Sequence, residues 1–359
     1  MYLHPVNIIQ LLLIFQGLLF SIFLLGQKRG KRITNRLLVA FLFILSFHMG
    51  FNFLLETGVI KNVTDLTIGL GFFYGPLIYL YAKSLEYKDF ELSYSDLLHA
   101  LPWVLVWIAK FSVRQELFSF FGIIVSIQVF TYLFLSFRSI SRYQKVLQHT
   151  QSSYENIALR WLKQFIVLMV FIGLIDIIHN ISAIKMPWLE WVIYLTLIIS
   201  LLVLITLLVF KGLRQPELFM GITQEEEAIV FENKEKYSLS RLSDSEADQV
   251  AQQVQDYMQV AKPYFDPQLN LQTLSEELDI APRIISQVIN SRFNQNFSEF
   301  VNDYRIKKAI QLLSDPEQTD KTVLEILYEV GFNTKSNFYT AFKQQTGESP
   351  NTFRKRIIG

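Results

Sequence analysis

Gly331-Phe332-Asn333-Thr334-Lys335-Ser336-Asn337-Phe338-Tyr339-Thr340-Ala341-Phe342-Lys343, followed by Gly347-Glu348-Ser349-Pro350 and by Arg354, is the stretch whose reading decides the fold. Just before it, Val323 to Tyr328 predicts a short helix with Val323, Leu324, Leu327 and Tyr328 as its apolar residues. Gly331 then stands where the chain needs a positive φ to turn sharply. A second helix begins near Lys335, with Phe338 and Phe342 four apart on one face. Two short helices joined by a Gly-containing turn make a helix-turn-helix unit, whose second helix fits the major groove of DNA.

The pattern occurs once more, about fifty residues upstream. Leu271, Leu274 and Leu278 mark a helix with Asn270 as its N-cap. Asp279-Ile280-Ala281 forms the turn, and Pro282 suits the first position of the next helix, whose buried face is Ile285, Val288 and Ile289. Between the two units, Ser298 to Leu313 carries a helical stripe of Phe300, Val301, Tyr304, Ala309, Leu312 and Leu313, and Asp315-Pro316 ends it.

On these residues the second unit closely resembles the AraC family of bacterial transcription regulators. Gly331-Phe332, Ser336, Phe338, Phe342-Lys343, Gly347, Pro350 and Arg354 stand in that family's signature spacing, and Tyr304-Arg305-Ile306 matches as well. The resemblance covers about 120 of the 359 residues, from roughly Ser240 onward, and implies a DNA-binding domain over residues 243–359. The sequence departs from the pattern at three places. Asp279 and Asn294 stand where the family usually has Gly, and Leu327 where it favours Ala. Asp and Asn are among the residues that tolerate the left-handed region best, so the first two departures keep the fold.

Reading bases requires exposed polar side chains near the start of a recognition helix. In the first unit these are Arg283, Ser286 and Gln287, opposite Ile285 and Ile289, and the resemblance puts the same three at base-facing positions. In the second unit the equivalents are Lys335, Ser336, Asn337 and Thr340. Lys343 and Arg354 are expected on phosphates, which position a protein without specifying sequence. The local charge is modest: 11 Lys/Arg against 8 Asp/Glu from Arg283 onward, and 13 against 16 from Ser240 onward. Double-stranded DNA is therefore expected to be held weakly without its target sequence, with reliance on base contacts and a second copy of the chain as a candidate partner.

Upstream of this domain, residues 212–242 read as a linker. Glu225-Glu226-Glu227 is a solvated acidic run, and the alternation in Ala228-Ile229-Val230-Phe231 hints at a strand. Ser243 and Glu246 form a capping box. The helix that follows carries Ala247, Val250, Ala251, Val254, Tyr257 and Met258 on one stripe, as the domain's first helix or as a dimerising one.

The first 211 residues are of another kind. Seven apolar stretches approach or reach the roughly 20 residues that span a bilayer: Val6–Leu25, Leu37–Leu55, Leu66–Ala82, Leu97–Val113, Leu117–Phe137, Phe165–Ile184 and Trp191–Phe210. The basic residues follow the first run instead of preceding it, so it is not a cleaved signal peptide. With the N-terminus outside, the inner loops hold 14 Lys/Arg and the outer side 4. That excess favours an inner C-terminus, and an odd number of spans delivers the last domain to the side where bacterial DNA lies. Gly71 and Gly75, just ahead of Pro76, suggest close helix packing and a bend.

Polar residues inside these spans are few. His48 and Asn52 share one face of the second, and Asp176, His179 and Asn180 share one face of the sixth. Ionisable groups at depth usually face the bundle interior and mark function, so the two sets are candidates for a pocket open to the outside. Hydrogen bonding between helices explains the same residues equally well. No spacing among them suits a metal. The net charge of +1 names no partner, and the absence of Cys excludes disulfides, thiolate metal sites and a Cys nucleophile. No phosphate-cradling loop, nucleophile elbow or HExxH motif occurs, and the last span has no internal Lys for a retinal Schiff base. Neither cofactor nor enzymatic activity is expected.

The expectation is an all-α protein: a seven-transmembrane-helix bundle over residues 1–211, then an AraC-type DNA-binding domain with two helix-turn-helix units. It would be a regulator embedded in the bacterial cytoplasmic membrane and controlled by an unknown small-molecule or envelope signal. The rival is a seven-span transporter or membrane enzyme with a C-terminal protein-binding module.

Overall fold

The computed structural model describes residues 5–27, 31–61, 63–112, 121–185, 187–213, 221–231 and 242–358. Arg114, the Leu117 end of the fifth expected span and most of the expected linker lie outside these residues, as does the side chain of Asn180. Among the described residues every regular element is helical, and Gln151 and Asn270 form an antiparallel bridge. The chain divides into two compact units, residues 1–142 with 159–221 and residues 143–158 with 222–359.

The first unit contains α1 (Pro5–Gly26), α2 (Arg32–Glu56), α3 (Gly71–Glu86), α4 (Leu101–Ser112), the larger part of α5 (Phe121–Thr150), α6 (Arg160–Lys185) and α7 (Pro187–Leu213). α1 packs on α2 and α7, α2 on α3, and α6 on α7. Small residues set the approach: a Cβ on Gly17 would fall 2.1 Å from Ser46 Oγ across α1 and α2. Gly71 and Gly75 both face α5, where a Cβ would meet Val125 and Tyr132.

Among the described residues five stretches are long and apolar enough to cross a membrane by length and composition: α1, α2, and Gly122–Thr150, Arg160–His179 and Leu189–Lys211 of α5, α6 and α7. The two remaining expected spans begin later as helices. Leu66–Leu70 does not join α3, because Asp65 accepts from the amide and hydroxyl of Thr67 and Gly69 takes a φ of 76°. Such a local turn competes with helix formation. Leu97–Ala100 belongs to a 3-10 segment, Tyr94–Ala100, started by a capping box between Ser93 and Asp96. That leaves α3 with 16 residues, and α4 begins only at Leu101.

The second unit holds α8 (Gln224–Phe231), α9 (Asp244–Val260), α10 (Leu271–Leu278), α11 (Pro282–Phe293), α12 (Phe297–Ser314), α13 (Val323–Glu329), α14 (Lys335–Thr346) and α15 (Pro350–Ile358). Ala228–Phe231 is helical, which corrects the strand reading. Thr223 and Glu226 exchange bonds as a capping box, and three Glu in the first turn suit the positive end of a helix.

Two of the apolar clusters in this unit are supplied by α12. Phe297, Phe300 and Val301 join Val254, Met258, Leu271, Leu274, Ile285 and Ile289. Ile306, Ala309 and Leu313 join Ile326, Leu327, Phe332, Phe338, Phe342 and Phe353. One continuous helix thereby carries both helix-turn-helix units. The stripe on α9 is used inside the unit: Ala247 and Ala251 pack on Val288 of α11, and Val254 and Met258 enter the first core.

Candidate functional site

The first helix-turn-helix unit is built by local signals. Asn270 Oδ1 accepts from the Thr273 amide at 2.9 Å and starts α10. Asp279 closes that helix in the left-handed region at φ 54°, and Ser275 binds Ile280 through its backbone carbonyl and its hydroxyl. Pro282 then occupies the first turn of α11. Ile285, Val288 and Ile289 are fully buried. Arg283 is half-buried and Gln287 exposed. Ser286 is buried, at 6% exposure, which corrects its reading as an exposed base contact. Its position lies only about 100° round the helix from Ile285. α9 and α10 both pack on α11.

In the second unit Thr334 caps α14 through the Asn337 amide. Lys335, Ser336, Thr340 and Lys343 are exposed on it, and Asn337 is half-buried. Lys335 Nζ lies 5.2 Å from the centre of the Tyr339 ring, and the Thr340 hydroxyl donates back to the Ser336 carbonyl. Arg354 does something other than expected. Its guanidinium donates to the carbonyls of Lys321 and Gln318, the latter at 2.6 Å, tying α15 to the segment that leads into α13. This fixes the second unit's fold and leaves little of the side chain for a phosphate.

Arg305 is the residue whose role the sequence reading missed. It is fully buried in α12, and among the described residues its hydrogen-bond acceptors are neutral oxygens. Its Nε donates to the Tyr264 carbonyl at 2.7 Å and its Nη2 to that of Asp266 at 2.8 Å. The remaining acceptors are Asn302 Oδ1, the carbonyl and hydroxyl of Ser152, and the hydroxyl of Ser153. Burial lowers its pKa to about 10, opposed by the nearby charges of Asp266 and Glu155. The guanidinium also lies 5.6 Å from the Phe332 ring of the second unit. A signal was available: Arg305 stands four residues from both Val301 and Ala309, on the buried stripe of its helix.

In the helical N-terminal unit, His48 Nδ1 is 2.7 Å from the Tyr74 hydroxyl. His179 stacks on Tyr194 with ring centres 5.2 Å apart. The Tyr194 hydroxyl donates to Glu56 at 3.0 Å, and Gln10 donates to Tyr194 and to the Met49 carbonyl. His48 and His179 thus meet different tyrosines. Asn52 is half-buried, and Asp176 is exposed on the unit's surface. Gln10, Glu56, Tyr74 and Tyr194 were not singled out from sequence. They stand alone in apolar runs, and only the packing of α1, α2, α3 and α7 brings them to the two histidines.

A family description for helix-turn-helix domains matches residues 274–356. The Msm operon regulatory protein of Streptococcus mutans is 26% identical over 123 residues, 34% of this chain and 43% of that protein. The melibiose operon regulatory protein of Escherichia coli is 28% identical over 91 residues, 25% of this chain and 29% of that one. The chain thus spans less than half the length of these curated relatives. Among solved structures, the C-terminal domain of AraT, a response regulator from Geobacillus stearothermophilus, is 31% identical, with 33% of this chain and 88% of that chain covered and a TM-score of 0.27. Residues 274–356 are a helix-turn-helix domain of the AraC type.

Proposed function

We propose that the chain is a membrane-embedded one-component transcription regulator. Its residues 243–359 bind double-stranded DNA in the cytoplasm, under control of a signal received by a seven-helix domain over residues 1–211. One observation carries this reading: a helix-turn-helix domain shares a polypeptide with five helices long and apolar enough to span a bilayer. Only 17–33% of the residues in their apolar windows are buried by the protein itself. Phe15, Ile22, Ile127 and Phe134 are each at least 60% exposed. Water would penalise such surfaces at about 25 cal/mol per Å², and lipid would not. α3 and α4 complete the bundle as shorter helices, and the excess of basic residues in alternate loops supports an outer N-terminus.

In this reading Arg283, Gln287, Lys335, Ser336, Asn337 and Thr340 face bases, and Lys343 meets phosphate. The groups around Tyr194 and around His48 receive the signal from the outer side. The test is a gel shift with the full chain in lipid nanodiscs, using duplexes selected from a random pool. Selective shifts that Arg283→Ala or Lys335→Ala abolish are expected. No shift at low salt overturns the reading. For the signal, His179→Ala and Asp176→Asn are expected to change promoter response while expression and DNA binding stay intact; an unchanged response removes the pocket.

A further inference from the structure

Residues 143–158 are sequence-distant from the helix-turn-helix domain, yet they belong to the same compact unit. They comprise the end of α5 and the loop leading to α6. The loop is folded back on its own helix: Tyr143 donates to the Ile157 carbonyl at 3.0 Å, and Gln144 Nε2 to that of Ala158 at 2.6 Å. Its near side is seated on the DNA-reading domain. Gln151 pairs with Asn270, the cap of α10, and the Ser152 amide donates to the Leu269 carbonyl at 3.1 Å. Ser298 of α12 donates to the Ser152 carbonyl. Ser152 and Arg305 are both 0% exposed.

The chemistry of Arg305 makes this contact more than incidental. A buried guanidinium must satisfy five N–H groups, because an unmet charge in an apolar interior is costly. The C-terminal stretch supplies three acceptors, Tyr264 O, Asp266 O and Asn302 Oδ1. Residues 152 and 153 supply the other three. Unseating the loop leaves both terminal nitrogens short of acceptors, at a point on α12 between the two cores. The loop is also covalently continuous with α5 on one side and α6 on the other.

We propose that residues 151–153 are a strap that docks on Arg305 of the DNA-reading domain, and that the membrane domain controls DNA binding by seating or unseating it. The second half of this statement rests on the regulator reading above. The route runs through the loop between α5 and α6, a second connection besides the 212–242 linker.

The chain has no Cys, so a disulfide can be placed without background. Partners in an antiparallel bridge have Cα atoms about 4.5–5.5 Å apart, within the range a disulfide spans. Gln151→Cys with Asn270→Cys in the full chain, oxidised in membranes, is expected to cross-link within the molecule. In nanodiscs, its affinity for a duplex selected from a random pool is expected to differ at least fivefold between oxidised and reduced forms. A cross-link with a smaller change overturns control by the strap. Because Asn270 is a helix cap, docking is also read in the unsubstituted chain by hydrogen exchange. The Ser152 amide is expected to be protected, and exchange at an open-loop rate overturns docking. If the full chain binds no selected duplex, the regulator reading fails, while protection of Ser152 still decides the strap.

Discussion

The carbonyl oxygen of Phe72 accepts a hydrogen bond from Gln128 Nε2 at 3.0 Å, across α3 and α5. Phe72 is four residues before Pro76, which has no N–H to give it. Within an apolar bundle an orphaned carbonyl must find another donor, and the side chain of the neighbouring helix supplies it. Gln128→Leu should therefore destabilise the bundle by about 1 kcal/mol in a detergent-unfolding titration. In a Pro76→Ala background the restored backbone amide takes the carbonyl, and the same substitution should cost much less. Equal costs in the two backgrounds would reject this assignment.

Gly331 and Gly347 both have positive φ, 92° and 82°, but their surroundings differ. A Cβ at Gly331 would fall 2.4 Å from the Tyr264 carbonyl oxygen and 2.8 Å from that of Phe265. At Gly347 it would meet nothing within 4 Å. Gly347→Ala should thus cost only the left-handed penalty, about 1–2 kcal/mol. Gly331→Ala should cost clearly more, since backbone must move, and should loosen the turn between α13 and α14. Thermal unfolding of the two variants side by side checks the order.

Arg354 and Lys343 give opposite expectations, although both are cations of the second unit. Lys343 is exposed, so Lys343→Ala should reduce the slope of log affinity against log salt by about 0.9, the share of one phosphate contact. Arg354 is committed to the Lys321 and Gln318 carbonyls. Arg354→Ala should leave the slope unchanged and instead lower stability by roughly 2 kcal/mol, as for a lost pair of charged hydrogen bonds. A salt slope that falls with Arg354→Ala would restore it to the phosphate contacts.

These residues also mark what was legible in the sequence. Asn270, Asp279, Pro282, Ser243 and Gly331 act on their own few neighbours, so the helix starts and turns of the C-terminal domain could be read directly. Apolar runs likewise marked the five described helices long enough to cross a membrane, though not the Asx turn at Asp65 or the 3-10 segment that delay the start of α3 and α4. Burial of Ser286 was not legible, because it stands beside the apolar stripe of its helix and only the packed unit shows that the covered face reaches it. The commitments of Arg354 and Arg305 depend on loops distant in sequence, Gln318–Lys321 and Ser152–Ser153. Side-chain type fixes what such a residue can bond; only the packed chain fixes which partner it meets.

Acid should weaken the helix caps. Glu325 is held below its usual value of 4.5 by the Thr322 backbone amide, then by the Thr322 hydroxyl and the nearby Lys321. Glu246 is lowered by the Ser243 backbone amide and then by its hydroxyl. A carboxylate with a depressed folded pKa contributes stability that is present above the unfolded value and lost as pH falls through the folded one. Glu325→Gln keeps a side-chain acceptor and removes only the charge. The substituted chain should therefore melt below the unsubstituted chain at about pH 6, and the two should converge as the pH falls through the lowered folded value. A constant gap across that range would mean that the charge of Glu325 does not act through its cap.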